Sequence, residues 1–219
     1  MKLVHIDLSR QVDFSLSSNY MLVIENSREF YRLSQQLYGQ VNGEDGNFVL
    51  SERDILSIPN HCLFVYDYFG DFLGGRKSSN AINNKIVDIL KENDFIEDFA
   101  KLNTLIIEIN DKIIEKLDYN VNSLEGLEYE NFVKMLQYKV IKSNTLTEDL
   151  LTYIQLNTTK SLSVVIFVGL SCVLSRDEIA TFLKELNYKQ LYVLLIEPYK
   201  KYTLPNCETI IIDEDLCVI

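Results

Sequence analysis

Apolar residues arrive in two rhythms along this chain. In the first third they form short runs bounded by polar and turn residues, at 3–8, 13–16 and 20–25 (YMLVIE), the pattern of strands. A helix is expected over 27–38, with Asn26 as its N-cap and Glu29 placed to complete a capping box. Residues 41–47 (VNGEDGN) carry turn chemistry and lead into the apolar run 48–50, and CLFVYD at 62–67 predicts another strand. After Gly70 the rhythm changes. From 80 to about 155 apolar residues recur at helical spacing, as in Ile82, Ile86, Ile89 and Leu90, or Ile106, Ile109, Ile113 and Leu117, or Phe132, Leu136 and Val140. From 161 the strand rhythm returns as SLSVVIFVGL, then a helix opened by a Ser175–Glu178 capping box, then LYVLLIEP and TIIID, a β-α-β unit with buried parallel strands.

The expected fold class is therefore α/β: a discontinuous head formed by 1–69 and 158–219, with an inserted α-helical domain over 70–157. The head has cues of a degenerate P-loop-like nucleotide fold, because YMLVIE runs straight into a helix and LFVYD ends a strand in Asp67, as a magnesium-holding strand does. No G-x-x-x-x-G-K-[ST] accompanies them. Only Asn26 separates Glu25 from the helix, so no glycine amides surround a phosphate and no lysine reaches one, which argues against nucleotide hydrolysis. Asp67 then reads as a strand-end carboxylate that accepts backbone N–H groups. G-x-S-x-G is absent, and His5 and His61 stand singly beside strands as structural histidines, so no enzyme activity is expected.

Charge narrows the partners. With 21 basic and 32 acidic residues in 219 the net charge is −11, so any nucleic-acid contact must rest on local patches. The composition, 47% hydrophobic with 8 Gly and 3 Pro, is that of an ordered globule, with roughly 10,000 Å² of folded surface expected at this size. Cys62, Cys172, Cys207 and Cys217 show no C-x-x-C pairing and read as buried free thiols. Asp7 and Arg10 interrupt the first segment before a signal-peptide core develops, and the longest uncharged stretch, between Lys160 and Arg176, falls short of the ~20 residues of a membrane span. A cytoplasmic protein without membrane contact is expected.

Three groups of residues carry candidate chemistry. The GGRKSS run at 74–79 has the backbone and cations for an anion, or serves as a flexible crossing between domains; contact of Arg76 and Lys77 with DNA stays open. On a helix over 105–119, Glu108, Asp111, Glu115 and Asp118 fall within an arc of about 80°, opposite the isoleucines. Such a stripe is a solvated face or an oxygen-ligand site for calcium or magnesium. Along KMLQYKVIK, read as a helix, Lys134, Lys139 and Lys142 lie within about 140°, either as ordinary solvated lysines or as a basic face for phosphates.

The order YMLVIEN, QVNGEDGNFVL, CLFVYDYFG, helical insertion, SVVIFVGLSCVLSRDEIATFLKEL, YVLLIEP and IIDED resembles the CRISPR-associated Csn-two family of type II-A systems. The resemblance implies a degenerate P-loop-like head with a helical leg, and a homotetrameric ring around ends of double-stranded DNA. It also implies Ca2+ on acidic leg residues and a non-catalytic role in spacer acquisition beside the integrase and effector nuclease. Lys134 and Lys139 match two family lysines and take the DNA-facing role, extended to Lys142 by geometry. Glu108, Asp118 and Glu128 lie in the stretch that matches the family's calcium region. A nucleotide-dependent enzyme and an oligomeric scaffold that binds DNA weakly are the competing readings.

Overall fold

A computed structural model of the chain describes all residues except Ser9, Tyr119, Asn120 and 122–125. The first part contains β1 (Lys2–His5), β2 (Val12–Asp13), β3 (Asn19–Ile24), α1 (Ser27–Val41), β4 (Phe48–Ser51), β5 (Ile55–Leu56), α2 (Ile58–His61) and β6 (Cys62–Val65). Three helices follow, α3 (Arg76–Leu90), α4 (Asn93–Ile114) and α5 (Tyr129–Leu136). The last part contains α6 (Leu146–Asn157), β7 (Val164–Val168), α7 (Arg176–Tyr188), β8 (Tyr192–Glu197) and β9 (Glu208–Ile212). The chain is mixed α/β and divides into two compact units: Met1–Gly70 with Asn144–Ile219, the α/β unit, and Asp71–Ser143, the helical unit. The second crossing thus lies at Ser143 and not at 157. α6 goes with the α/β unit, where it packs beside α7 with Leu150 and Ile154 fully buried.

The α/β unit is built on a five-stranded parallel sheet in the order β6-β7-β8-β3-β9. Its central strands, NYMLVI, VVIFV and YVLLIE, are apolar along almost their whole length because parallel strands covered on both faces have no solvent side to alternate toward. Phe167 of β7 meets Phe182 of α7 edge-on at 5.4 Å, with both rings buried. α7 opens on a complete capping box: Ser175 Oγ accepts from Glu178 N–H, and Glu178 Oε2 accepts from Ser175 N–H at 2.8 Å. At α1 only half of the expected box forms. Asn26 Oδ1 accepts from the N–H groups of Arg28 and Glu29, but the Glu29 carboxylate is held by Arg32 at 2.7 Å.

A four-stranded antiparallel sheet, β2-β1-β4-β5, completes this unit. The expected strand at 13–16 shrinks to β2, because Asp13 turns the chain: its Oδ1 accepts from Ser15 N–H and Oγ–H, and Leu16 N–H donates to its carbonyl. The Ser15 hydroxyl, with help from Lys2, lowers the Asp13 carboxyl to about 2. Tyr20 of β3 donates its hydroxyl to the Asp13 carbonyl at 2.9 Å, which links the two sheets. His5 is buried against Gln36 at 2.8 Å, a satisfied structural histidine. Of the four free cysteines only Cys62 is buried, where desolvation pushes its thiol up to about 12; Cys172 and Cys217 are exposed.

The helical unit packs α3 against α4 and α5. Its core is small: among the described residues, Leu73, Val87, Phe99 and Val133 are its only buried hydrophobics. Phe99 stacks on Tyr129 at 4.1 Å and meets Phe132 edge-on at 5.6 Å. Asn103 clamps the chain entering α5, accepting from Leu127 N–H at 2.6 Å and donating to its carbonyl at 3.1 Å. The chain exposes 13,648 Å², well above the expected 10,000 Å², as follows when a third of it forms a unit with so little interior. No helix among the described residues is long and apolar enough to cross a membrane.

Candidate functional site

The helical unit contains a cavity of about 340 Å³ whose polar lining includes Asp71, Gly74, Ser79, Lys139 and Lys142. The chain reaches it from two directions. Residues 71–75 lead into α3, and the segment 138–142 follows α5. The GGRKSS run is therefore not a loose crossing, since Gly75 is the N-cap of α3 and Arg76 its first residue. Asp71 Oδ1 accepts from Gly74 N–H at 3.2 Å, and a Cβ at Gly74 would collide with that carboxylate. Ser78 is buried and donates to the Phe72 carbonyl at 2.6 Å, which fixes the first turn.

This helix start is electrostatically unusual. Gly75 offers no side-chain cap, and the first turn holds Arg76 and Lys77 with no acid. Cations at a positive helix end cost a few tenths of a kcal/mol, where α1, α6 and α7 each place an acid. An anion bound there would reverse the sign of that term. Lys139 and Lys142 bring positive charge to the cavity, which Arg76 and Lys77 do not line. The Lys142 ammonium lies 3.2 Å from Asp71, and it holds the Asp71 carboxyl below the usual carboxylate range, aided by Gly74 N–H.

Lys134, Lys139 and Lys142 do not share a helical face. α5 ends at Leu136, and Gln137 takes the left-handed conformation at φ 51°, ψ 48°, so Lys139 and Lys142 lie on chain that follows the helix. Lys134 remains on the last turn of α5, beside Glu130, and does not line the cavity. Cavity lining, not helical arc, brings Lys139 and Lys142 together.

The acidic residues separate as well. α4 ends at Ile114, with Lys116 and Leu117 closing the tightened turn through i→i−3 bonds, so Glu108 and Asp111 stay on the helix while Glu115 caps it and Asp118 lies past it. Tyr119, the last residue of the expected helix, is outside the described residues. Glu128 precedes α5 and lines a different cavity, of about 420 Å³, together with Lys91 and Glu130, which pair at 3.2 Å. Among the described residues no three His, Cys, Asp or Glu side chains gather closely enough to hold a metal ion. The donor chemistry suits calcium, but within one chain the expected ligands do not form a site.

In the α/β unit, Asp67 Oδ1 accepts from the N–H groups of Phe69 and Gly70 at 3.2 and 2.8 Å, the turn role expected of it. A buried carboxylate that sequence reasoning missed is Glu197, at the end of β8. It accepts from Ser171 N–H at 3.0 Å and Oγ–H at 2.6 Å, and burial raises its pKa. The acid of the run LLIEP was its one visible signal, since a charge closing an otherwise buried strand needs partners.

Two comparisons place the chain among known proteins. Over 116 residues, half of this chain, it is 29% identical to protein OPG031 of Monkeypox virus, of whose length the match spans 37%. Residues 40–216 match the family described as CRISPR-associated protein (Cas_Csn2), a span that runs from α1 through both crossings into the segment after β9 and so includes the whole helical unit. The chain belongs to the CRISPR-associated Csn2 family.

Proposed function

We propose that the protein is a non-catalytic DNA-binding component of CRISPR adaptation that assembles as a homotetrameric ring on the ends of double-stranded DNA, beside the integrase and effector nuclease. The family match over 40–216 carries this reading. The cavity of the helical unit supports it, because Lys139 and Lys142 line it, while the uncapped first turn of α3 carries Arg76 and Lys77 with no acid, local positive charge on an acidic chain. Phosphates would bind there by counterion release and without base readout. Lys142 must then exchange Asp71 for phosphate, so Lys139 is the stronger contributor. Lys134 serves from α5 as a second point of contact.

Assembly draws support from α4. Leu105, Ile109 and Ile113, spaced i, i+4, i+8, are 56%, 56% and 54% exposed, an apolar seam of the kind that a second helix covers. The calcium expectation belongs to the same assembly. Glu108, Asp111, Glu115, Asp118 and Glu128 do not converge in one chain, so a site would need donors from a second copy. Sedimentation in chelator and in millimolar calcium tests this, and identical assemblies in both would remove calcium from the account.

Competition gels test the DNA reading. A closed ring threads only onto free ends, so linear duplex should compete far better than covalently closed circles, with a steep loss in salt. Lys134→Glu with Lys139→Glu should abolish binding while the assembly survives. Equal competition by circles overturns threading, and unchanged affinity in the double variant favours the scaffold reading.

A further inference from the structure

The cavity of the helical unit already contains an anion of the chain's own. The charged groups in its lining are Lys139, Lys142 and Asp71. The Asp71 carboxylate accepts from the Gly74 N–H at 3.2 Å and pairs with the Lys142 ammonium at 3.2 Å. A backbone N–H just ahead of a helix start, together with a lysine, is the donor set that holds a phosphate oxygen. Gly74 is part of the arrangement, since a Cβ at that position would meet the carboxylate.

One carboxylate does not neutralise two lysines. Lys139 makes no ion pair among the described residues, so the cavity keeps a net positive charge with Asp71 in place and gains more when the carboxylate leaves. The pair itself opens at little cost. Asp71 and Lys142 are 66% and 54% exposed, and water competes for both. A single small anion that displaces Asp71 exchanges one partner of Lys142 for another and gains little. A polyanion that also meets Lys139 gains a second contact and releases more counterions.

We propose that Asp71 is a built-in competitor of phosphate at this cavity: its carboxylate stands where a phosphate oxygen would, so weak single anions are kept out while a ligand with several phosphates displaces it. The role for a duplex rests on the reading of this cavity as a DNA contact. Asp71 thereby sets the affinity threshold of the site without holding the ligand.

Asp71→Asn tests this, because the amide oxygen still accepts from Gly74 N–H while the charge facing Lys142 is gone. On the full chain in metal-free buffer, inorganic pyrophosphate followed by phosphorus NMR should bind the variant about fivefold more tightly than the natural chain, with unchanged thermal melting. Linear duplex should gain at least as much, since each copy it touches loses a competitor. Glu97→Gln on α4, outside the cavity lining, changes net charge equally and should shift either affinity less than about twofold. In a Lys142→Gln background the gain from Asp71→Asn should shrink toward that of the control. The proposal is overturned by unchanged pyrophosphate affinity in Asp71→Asn, by an equal gain in Glu97→Gln, or by an undiminished gain in Lys142→Gln. The two readings fail separately. Tighter pyrophosphate with no duplex binding in any variant keeps the competitor and removes the DNA contact, whereas duplex binding that Lys139→Glu weakens and Asp71→Asn leaves unchanged, along with pyrophosphate, does the reverse.

Discussion

The two units spend their apolar residues differently. In the α/β unit the parallel sheet absorbs them: Val23, Ile24, Phe167 and Leu194 are fully buried, and the pattern that predicts the strands is the pattern of the core. In the helical unit four hydrophobics are buried among the described residues, while Leu105, Ile107, Ile109, Ile113 and Ile141 remain exposed. Periodicity alone does not distinguish an apolar face that packs within the chain from one kept for another molecule. The α/β unit buries most of its apolar residues against its own sheet, and the helical unit leaves a larger share of them exposed.

The contrast makes graded predictions for stability. Phe167→Ala removes a buried ring from between β7 and α7 and should cost about 3–5 kcal/mol in urea unfolding. A smaller loss, about 1–3 kcal/mol, is expected of Ser171→Ala, which takes a hydroxyl from the buried Glu197 carboxylate. Because the folded Glu197 pKa is raised, the native state holds its proton longer than the unfolded chain. Stability therefore falls as pH rises from the ordinary carboxylate range through that raised value, and Glu197→Gln should flatten the fall.

Asp13 behaves in the opposite sense. Its folded pKa, about 2, lies below the ordinary 3.8, so its contribution is complete above pH 3.8 and disappears as pH falls toward 2. Asp13→Asn should remove that part of the acid loss, which thermal melts across this window would detect. The smallest effect on stability belongs to the exposed seam. Ile109→Ser should change the unfolding free energy of the isolated chain by less than about 0.5 kcal/mol, yet dissociate the assembly in sedimentation. A loss of several kcal/mol there would show that the seam belongs to an internal core.

Much of the α/β unit was readable in the sequence because its signals are redundant. Continuous β-branched runs, the Ser175–Glu178 box and alternating strands and helices all lead to one parallel sheet. The antiparallel sheet was not, since its strands β2 and β5 are two residues long and its pairing joins residues far apart in sequence. In the helical unit the helices were anticipated but not their ends. Nothing in the identity of Gln137 announces a left-handed residue, yet that one torsion takes Lys139 and Lys142 off the helix and into the cavity with Asp71. The lysines themselves were found from the chain, and their arrangement came only from the fold.

If the helical unit is the partner-binding surface, DNA contact must reside there and not on the larger α/β unit. Duplex affinity measured at fixed moderate salt for two charge-reversal pairs decides this. Lys139→Glu with Lys142→Glu, in the helical unit, should reduce affinity by roughly tenfold or more, since each lost phosphate contact removes released counterions. Lys184→Glu with Lys189→Glu, on and just after α7 in the α/β unit, changes net charge equally and should shift affinity little. Equal losses in the two pairs, or a loss confined to Lys184 and Lys189, would contradict the assignment.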